Sequence, residues 1–230
     1  MRQQICFYFL LIFLLTFSGC SDFKSKKEFN EGTIEYSIQT QDETQSSFNS
    51  SLLPNKITVK FRDNNTSNKV EGLSGAVTLT YINNIDDKNG IILVKFLNKK
   101  LFFEEPLTSG NISSTYSGMP NITIKETNDT ITYQGYKCKK AIASFNDSSN
   151  YSFEILYTND IKIANPNANT PFESINGVML MFKVKLYKHI MSITATTIKR
   201  EHIPKDNFSI PSEYVRVSKK TIEDFLSLLQ

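Results

Sequence analysis

Val178-Met179-Leu180-Met181-Phe182-Lys183-Val184-Lys185-Leu186 is the stretch that decides the fold class. Val178, Leu180, Phe182, Val184 and Leu186 share one side of an extended chain, opposite Met179, Met181, Lys183 and Lys185. Successive side chains of a strand point to opposite faces, so a period of two marks a strand with one face on a core and one nearer water. A helix would place its apolar residues three and four apart instead.

The same period recurs outward from this stretch. Tyr151, Phe153, Ile155 and Tyr157 alternate with Ser152, Glu154, Leu156 and Thr158. Toward the N-terminus, Ile34, Tyr36 and Ile38 alternate with Glu35, Ser37 and Gln39, and Ile57, Val59 and Phe61 with Thr58, Lys60 and Arg62. Val77, Leu79 and Tyr81 follow, then a mixed apolar run from Ile91 to Leu97. Asp86-Asp87-Lys88 and Asn89-Gly90 mark a tight turn before that run. Helices are few. Ile222, Phe225, Leu226 and Leu229 form one apolar stripe in the tail from Ser218 to Gln230, and Thr221 with Asp224 resembles a capping box. A helix so short is marginal alone and is expected to dock on the sheet. A second short helix is expected over Gln45 to Leu53, stopped by Pro54. The chain from Asn159 to Asn176 has no period and reads as a lid or rim. The fold class is therefore mainly β, an antiparallel sheet with one or two short helices including a C-terminal one.

At 230 residues, 40% hydrophobic and 21% charged, the chain is neither a disordered polymer nor a polytopic membrane protein. A net charge of +3 without a clustered basic face excludes the usual nucleic-acid binder. Three Cys and two His disfavour both a disulfide framework and a Cys/His zinc site. No metal or cofactor is expected.

The first residues read MRQQICFYFLLIFLLTFSGC, with Arg2 ahead of an apolar run from Ile5 to Phe17. That run is about 13 residues where a spanning helix needs about 20, which fits the core of a secretory signal peptide. Phe17-Ser18-Gly19-Cys20 resembles the lipobox of bacterial lipoproteins. The resemblance implies cleavage before Cys20, a diacylglyceryl group on its thiol and a third acyl chain on its amine. Residues 1–19 are then signal peptide, 20–31 the lipidated cysteine and a polar tether, and 32–230 one β-rich domain. Three acyl chains anchor firmly where one binds only marginally.

With Cys6 in the leader and Cys20 under lipid, Cys138 is the candidate free thiol. It is a buried small hydrophobe, a reactive thiol or one half of an intermolecular bridge. Glu104-Glu105, Asp86-Asp87, His189 and His202 are the candidates for acid–base work. Adjacent glutamates on a strand face opposite ways, and no nucleophile elbow, phosphate loop or paired C-x-x-C is present. An enzyme is not expected.

Several local phrases resemble the GLPGLI group of uncharacterised lipoproteins from the Bacteroidota. They are Gly32-Thr33-Ile34-Glu35-Tyr36, Leu52-Leu53-Pro54-Asn55-Lys56-Ile57, and Gly135-Tyr136-Lys137-Cys138-Lys139-Lys140-Ala141. Ser174-Ile175-Asn176-Gly177-Val178-Met179-Leu180 keeps the second Gly of the naming motif but lacks its first Gly and its Pro. The resemblance, to that group or a sister family, implies a half-barrel similar to the LolA/LolB lipoprotein carriers. It carries no catalytic residue. In the Bacteroidota lipoproteins that the chain resembles, acidic residues just after the lipidated Cys go with surface display. The resemblance therefore implies that Asp22, a single acid followed by lysines, goes with an outer-membrane site facing the periplasm. Asp129-Thr130-Ile131 also resembles the O-glycosylation triplet of Bacteroidota envelope proteins, while Asn128-Asp129 reads equally as a hairpin turn.

The expected function is a lipid-anchored envelope lipoprotein holding an apolar or lipid-like ligand in the half-barrel, a reading drawn from its 17 Phe and 10 Tyr. The alternative is a structural or protein-interaction module of the envelope. The expected partners are the membrane through the anchor, and either an apolar ligand or an envelope protein.

Overall fold

A computed structural model describes residues 28–41, 54–72, 75–85, 87–108, 112–116, 118–149, 151–186 and 189–227. The leader, Cys20 and the expected helix over Gln45 to Leu53 lie outside the described residues.

The alternating segments form a run of antiparallel hairpins: β1 (Glu31–Thr40), β2 (Lys56–Arg62), β3 (Asn65–Gly72), β4 (Val77–Asn84), β5 (Asn89–Phe96) and β6 (Lys99–Pro106). A second run follows as β7 (Ile122–Tyr133), β8 (Tyr136–Phe145), β9 (Ser152–Thr158), β10 (Val178–Leu186) and β11 (His189–Lys199). The two runs join where β1 pairs with β11, Ile34 facing Ile198 and Ile38 facing Ile193. A two-residue strand, β12 (Val215–Arg216), adds in parallel to β6. The result is one open 12-stranded sheet, antiparallel except at that edge.

The sheet curls strongly. The Tyr133 hydroxyl on β7 donates to the Ala195 carbonyl on β11 at 2.9 Å, although β8, β9 and β10 stand between them in the sheet. Inside the curl, Cys138, Ala141, Ala143 and Ala195 are fully buried and small, which leaves room for the rings of Tyr36, Phe145, Phe153 and Phe172.

The other half of the sheet is covered on both faces. Ile203 and Phe208, in and beside a short 3-10 turn (Lys205–Phe208), pack on Ile82, Ile91 and Leu93. The C-terminal helix α1 (Lys219–Ser227) packs Ile222 on the opposite face, against Tyr81, Ile92 and Val94. Burial on both faces is why Ile91, Ile92, Leu93 and Val94 form a continuous apolar run without alternation.

Several local expectations are corrected. The expected turn falls on Asp87-Lys88, within the connection at residues 85–88, but Asn89-Gly90 opens β5, with Asn89 facing Asn84 and Gly90 facing Asn83. Asn128-Asp129 sits within β7 at a register shift between Glu126 and Thr130, and the hairpin turns at Gln134-Gly135 instead. Both turn residues have positive φ, 53° and 77°, the geometry that matches the twist of paired strands. Ser218, not the Thr221–Asp224 pair, caps α1: its Oγ accepts from the Thr221 N–H at 3.2 Å, while Asp224 pairs with Lys220. The stretch from Asn159 to Asn176 is no loose lid. Asn167 donates through Nδ2 to the Ile175 and Gly177 carbonyls at 2.7 and 3.0 Å, and Ile161, Phe172 and Ile175 are buried.

Candidate functional site

The interior of the curl is the place where an apolar ligand would sit, and side chains of the chain itself fill it. Phe172, from the 159–176 segment, meets Phe182 edge-on with ring centroids 5.6 Å apart, and Phe182 meets Tyr36 in the same way at 6.3 Å. Phe145 and Phe153 lie 5.0 Å apart behind them. The Tyr36 hydroxyl is spent on the Met179 carbonyl at 2.9 Å. Two depressions stand out on the described surface, and both are open to solvent. One, of about 340 Å³, lies along Asn159, Ile161, Lys162 and Asn176; the other, of about 400 Å³, lies over Phe153, Glu154, Met181, Phe182, Lys183 and Thr194. Neither is enclosed as a buried lipid site is.

Cys138 faces this filled interior from β8 with no exposed surface. Burial pushes its thiol pKa up to about 11, against a smaller opposing effect of a backbone hydrogen bond at Tyr133. A thiolate is the reactive form, so the thiol is inert at neutral pH.

The acid–base candidates are dispersed. Glu104 binds Arg216 at 2.6 Å and the Asn89 amide at 3.1 Å. Glu105 faces the other way, with the Ser114 hydroxyl donating to its Oε2 at 3.4 Å. Asp87 accepts from Asn84 Nδ2 at 2.7 Å in the β4–β5 turn, and Asp86 lies outside the described residues. His189 starts β11, and His202 lies beyond its end, with Nδ1 2.9 Å from Glu31. They lie at opposite ends of β11. Among the described residues, these candidates are not brought together around one site. The Asp129-Thr130-Ile131 triplet is exposed on edge strand β7.

One polar cluster was invisible in the sequence. Asn83, Gly90 and Glu105 face one another across β4, β5 and β6. A Cβ on residue 90 would lie 2.7 Å from the Tyr81 hydroxyl and 3.3 Å from Glu105 Cγ, so the missing side chain makes the space that these groups share. Tyr81 Oη, Asn83 Oδ1 and Glu105 Oε1 are buried without a hydrogen-bond partner in the protein. The Tyr81 hydroxyl lies within reach of Glu105 and Ser113; burial first, then the Glu105 charge, pushes its pKa upward.

At the far end of the same strands, the β5–β6 turn exposes Phe96 (38%) and Leu97 (60%). Leu97 has φ of 52°, a left-handed conformation that suits Gly or Asn better than leucine. Lys95 faces Lys100 directly and Lys99 faces Phe96, so the tip is basic as well as apolar. Glu213 pairs with Lys100 at 3.0 Å.

No family model matches the chain, so the GLPGLI likeness stays a resemblance. No curated protein matches it either. Among solved structures, the chain is similar to LprF from Mycobacterium bovis, at 8% identity over 76% of this chain and 89% of that one. The TM-score is 0.27, too low for that likeness to carry an argument about function.

Proposed function

We propose that this is an exported, lipid-anchored envelope protein that works as an interaction module, not as a container for an apolar ligand. The observation that carries the reading is the filled curl: Tyr36, Phe172 and Phe182 occupy the volume that an acyl chain would need. The surface assigned to the interaction is the β5–β6 turn. The exposed Leu97 side chain leaves apolar surface in water, and Lys95 and Lys99 beside it leave positive charge, and an acidic, partly apolar partner would cover the one and neutralise the other.

Register supports the orientation. Glu31, where the tether enters the sheet, pairs with Arg62 at the end shared by Asn65, Asn84, Asn89 and Pro106. The turn at Leu97 lies at the opposite end, beside Val77. With the anchor at Cys20 and the tether entering at Glu31, the Leu97 tip is the end of these strands farther from the tether. The acid–base candidates, engaged in contacts of the fold, fit a module without catalysis.

A photo-crosslinking residue at Leu97, compared with one at exposed Lys199 near the tethered end, tests the assignment in cells. A discrete adduct is expected from position 97 alone, lost when Lys95 and Lys99 are changed to Glu. Equal adducts from both positions, or an adduct indifferent to the lysines, would remove the tip from the account. Globomycin treatment with mass spectrometry of the N-terminus tests the anchor at Cys20.

A further inference from the structure

We propose that the pocket over Gly90 binds an alkali-metal cation, held by Glu105 Oε1, Asn83 Oδ1 and the Tyr81 hydroxyl oxygen. These three buried oxygens belong to residues on one face around the one position of the central strand that has no side chain: Asn83 and Glu105 flank Gly90 in register, and the Tyr81 hydroxyl lies 2.7 Å from where its Cβ would be. Tyr81 and Asn83 are 7% and 6% exposed, so bulk water does not serve them.

The chemistry of the three atoms selects the ligand. The Glu105 and Asn83 oxygens are acceptors only, so neither satisfies the other, and the Tyr81 hydroxyl has one hydrogen and serves at most one of them. A water molecule would supply O–H groups but no charge. Among the described residues Glu105 makes no ion pair, whereas Glu104 on the opposite face is matched by Arg216. A buried carboxylate oxygen without a counter-charge calls for a cation. Oxygen donors suit hard ions. One carboxylate among neutral oxygens balances a single positive charge, which favours sodium or potassium over calcium.

The surroundings hold the carboxylate in place. Ser114 donates to Glu105 Oε2, leaving Oε1 free for the site, and Leu107 Cδ2 lies 3.3 Å from the Cβ position over Gly90. The Asn169 carbonyl accepts from the Ser113 N–H at 2.8 Å, tying Ser113 to the 159–176 segment.

Thermal unfolding of the full chain tests the proposal, in choline, sodium, potassium or calcium chloride at matched ionic strength. Sodium or potassium is expected to raise Tm saturably over choline, by about 3 °C at tenfold excess over Kd. Glu105→Gln abolishes that cation preference. Asn83→Asp, which supplies a second carboxylate, moves the preference to calcium. Equal melting in choline, sodium and potassium would overturn the proposal, as would an alkali response that survives in Glu105→Gln. Calcium stabilising the natural chain more than either alkali ion would overturn the charge argument. The comparison of salts on the unsubstituted protein decides even where a variant fails to fold.

Discussion

Phe172→Ala tests whether the curl is a packed core. Phe172 has no exposed surface and packs edge-on against Phe182 at 5.6 Å. Truncating a fully buried Phe costs about 3–5 kcal/mol, of which the lost ring pair accounts for about 1 kcal/mol. At roughly 2–4 °C per kcal/mol for a chain of this size, Tm falls by about 10–15 °C. Urea unfolding followed by circular dichroism gives the loss as a lower midpoint at unchanged slope. The space left behind is apolar and closed, so benzene stabilises the variant and leaves the natural protein unaffected. A loss below about 1.5 kcal/mol, together with benzene stabilising both proteins, would refute the reasoning, because only an interior with room to spare tolerates truncation so cheaply.

Three further outcomes follow from the same geometry. Ile222→Ala removes the fully buried contact of α1 with β4 and β5 and lowers stability by about 2–4 kcal/mol in urea unfolding. Cys138 resists a disulfide exchange reagent in the folded protein and reacts fully once urea unfolds it, because burial holds the thiol near pKa 11. Asp147, held at about 2 chiefly by its hydrogen bond from Lys185 and then by Ser149, contributes stability that is full above its unfolded pKa near 4. That contribution disappears as pH falls through the folded value, so the Tm difference between the natural protein and Asp147→Asn shrinks from pH 5 toward pH 2.

The legible part of the fold is the part where one face meets a core and the other meets water. β1, β2 and β9 carry that alternation openly, and the stripe of α1 is equally plain. β7 escaped because it is an edge strand, exposed along most of its length, with no apolar face to display. β3, NTSNKVEG, escaped because its pairing with apolar β4, and not its own composition, buries Thr66 and Ser67. β11 did carry a signal, His189, Met191, Ile193 and Ala195 on one face, blurred by Ile190 and Ile198 on the other. The cluster over Gly90 depends on register across three strands. In the sequence, Asn83, Gly90 and Glu105 are separated residues, and Asn89-Gly90 carries the signature of a turn; only pairing with β4 and β6 turns the glycine into a floor.

The most direct test of the account is native mass spectrometry of the mature protein extracted gently from its membrane. The curl packed by Tyr36, Phe172 and Phe182 predicts a mass equal to the polypeptide plus its anchor at Cys20, with no further lipid retained. A stoichiometric lipid that stays bound after the anchor is removed would contradict the packed interior and restore the carrier reading.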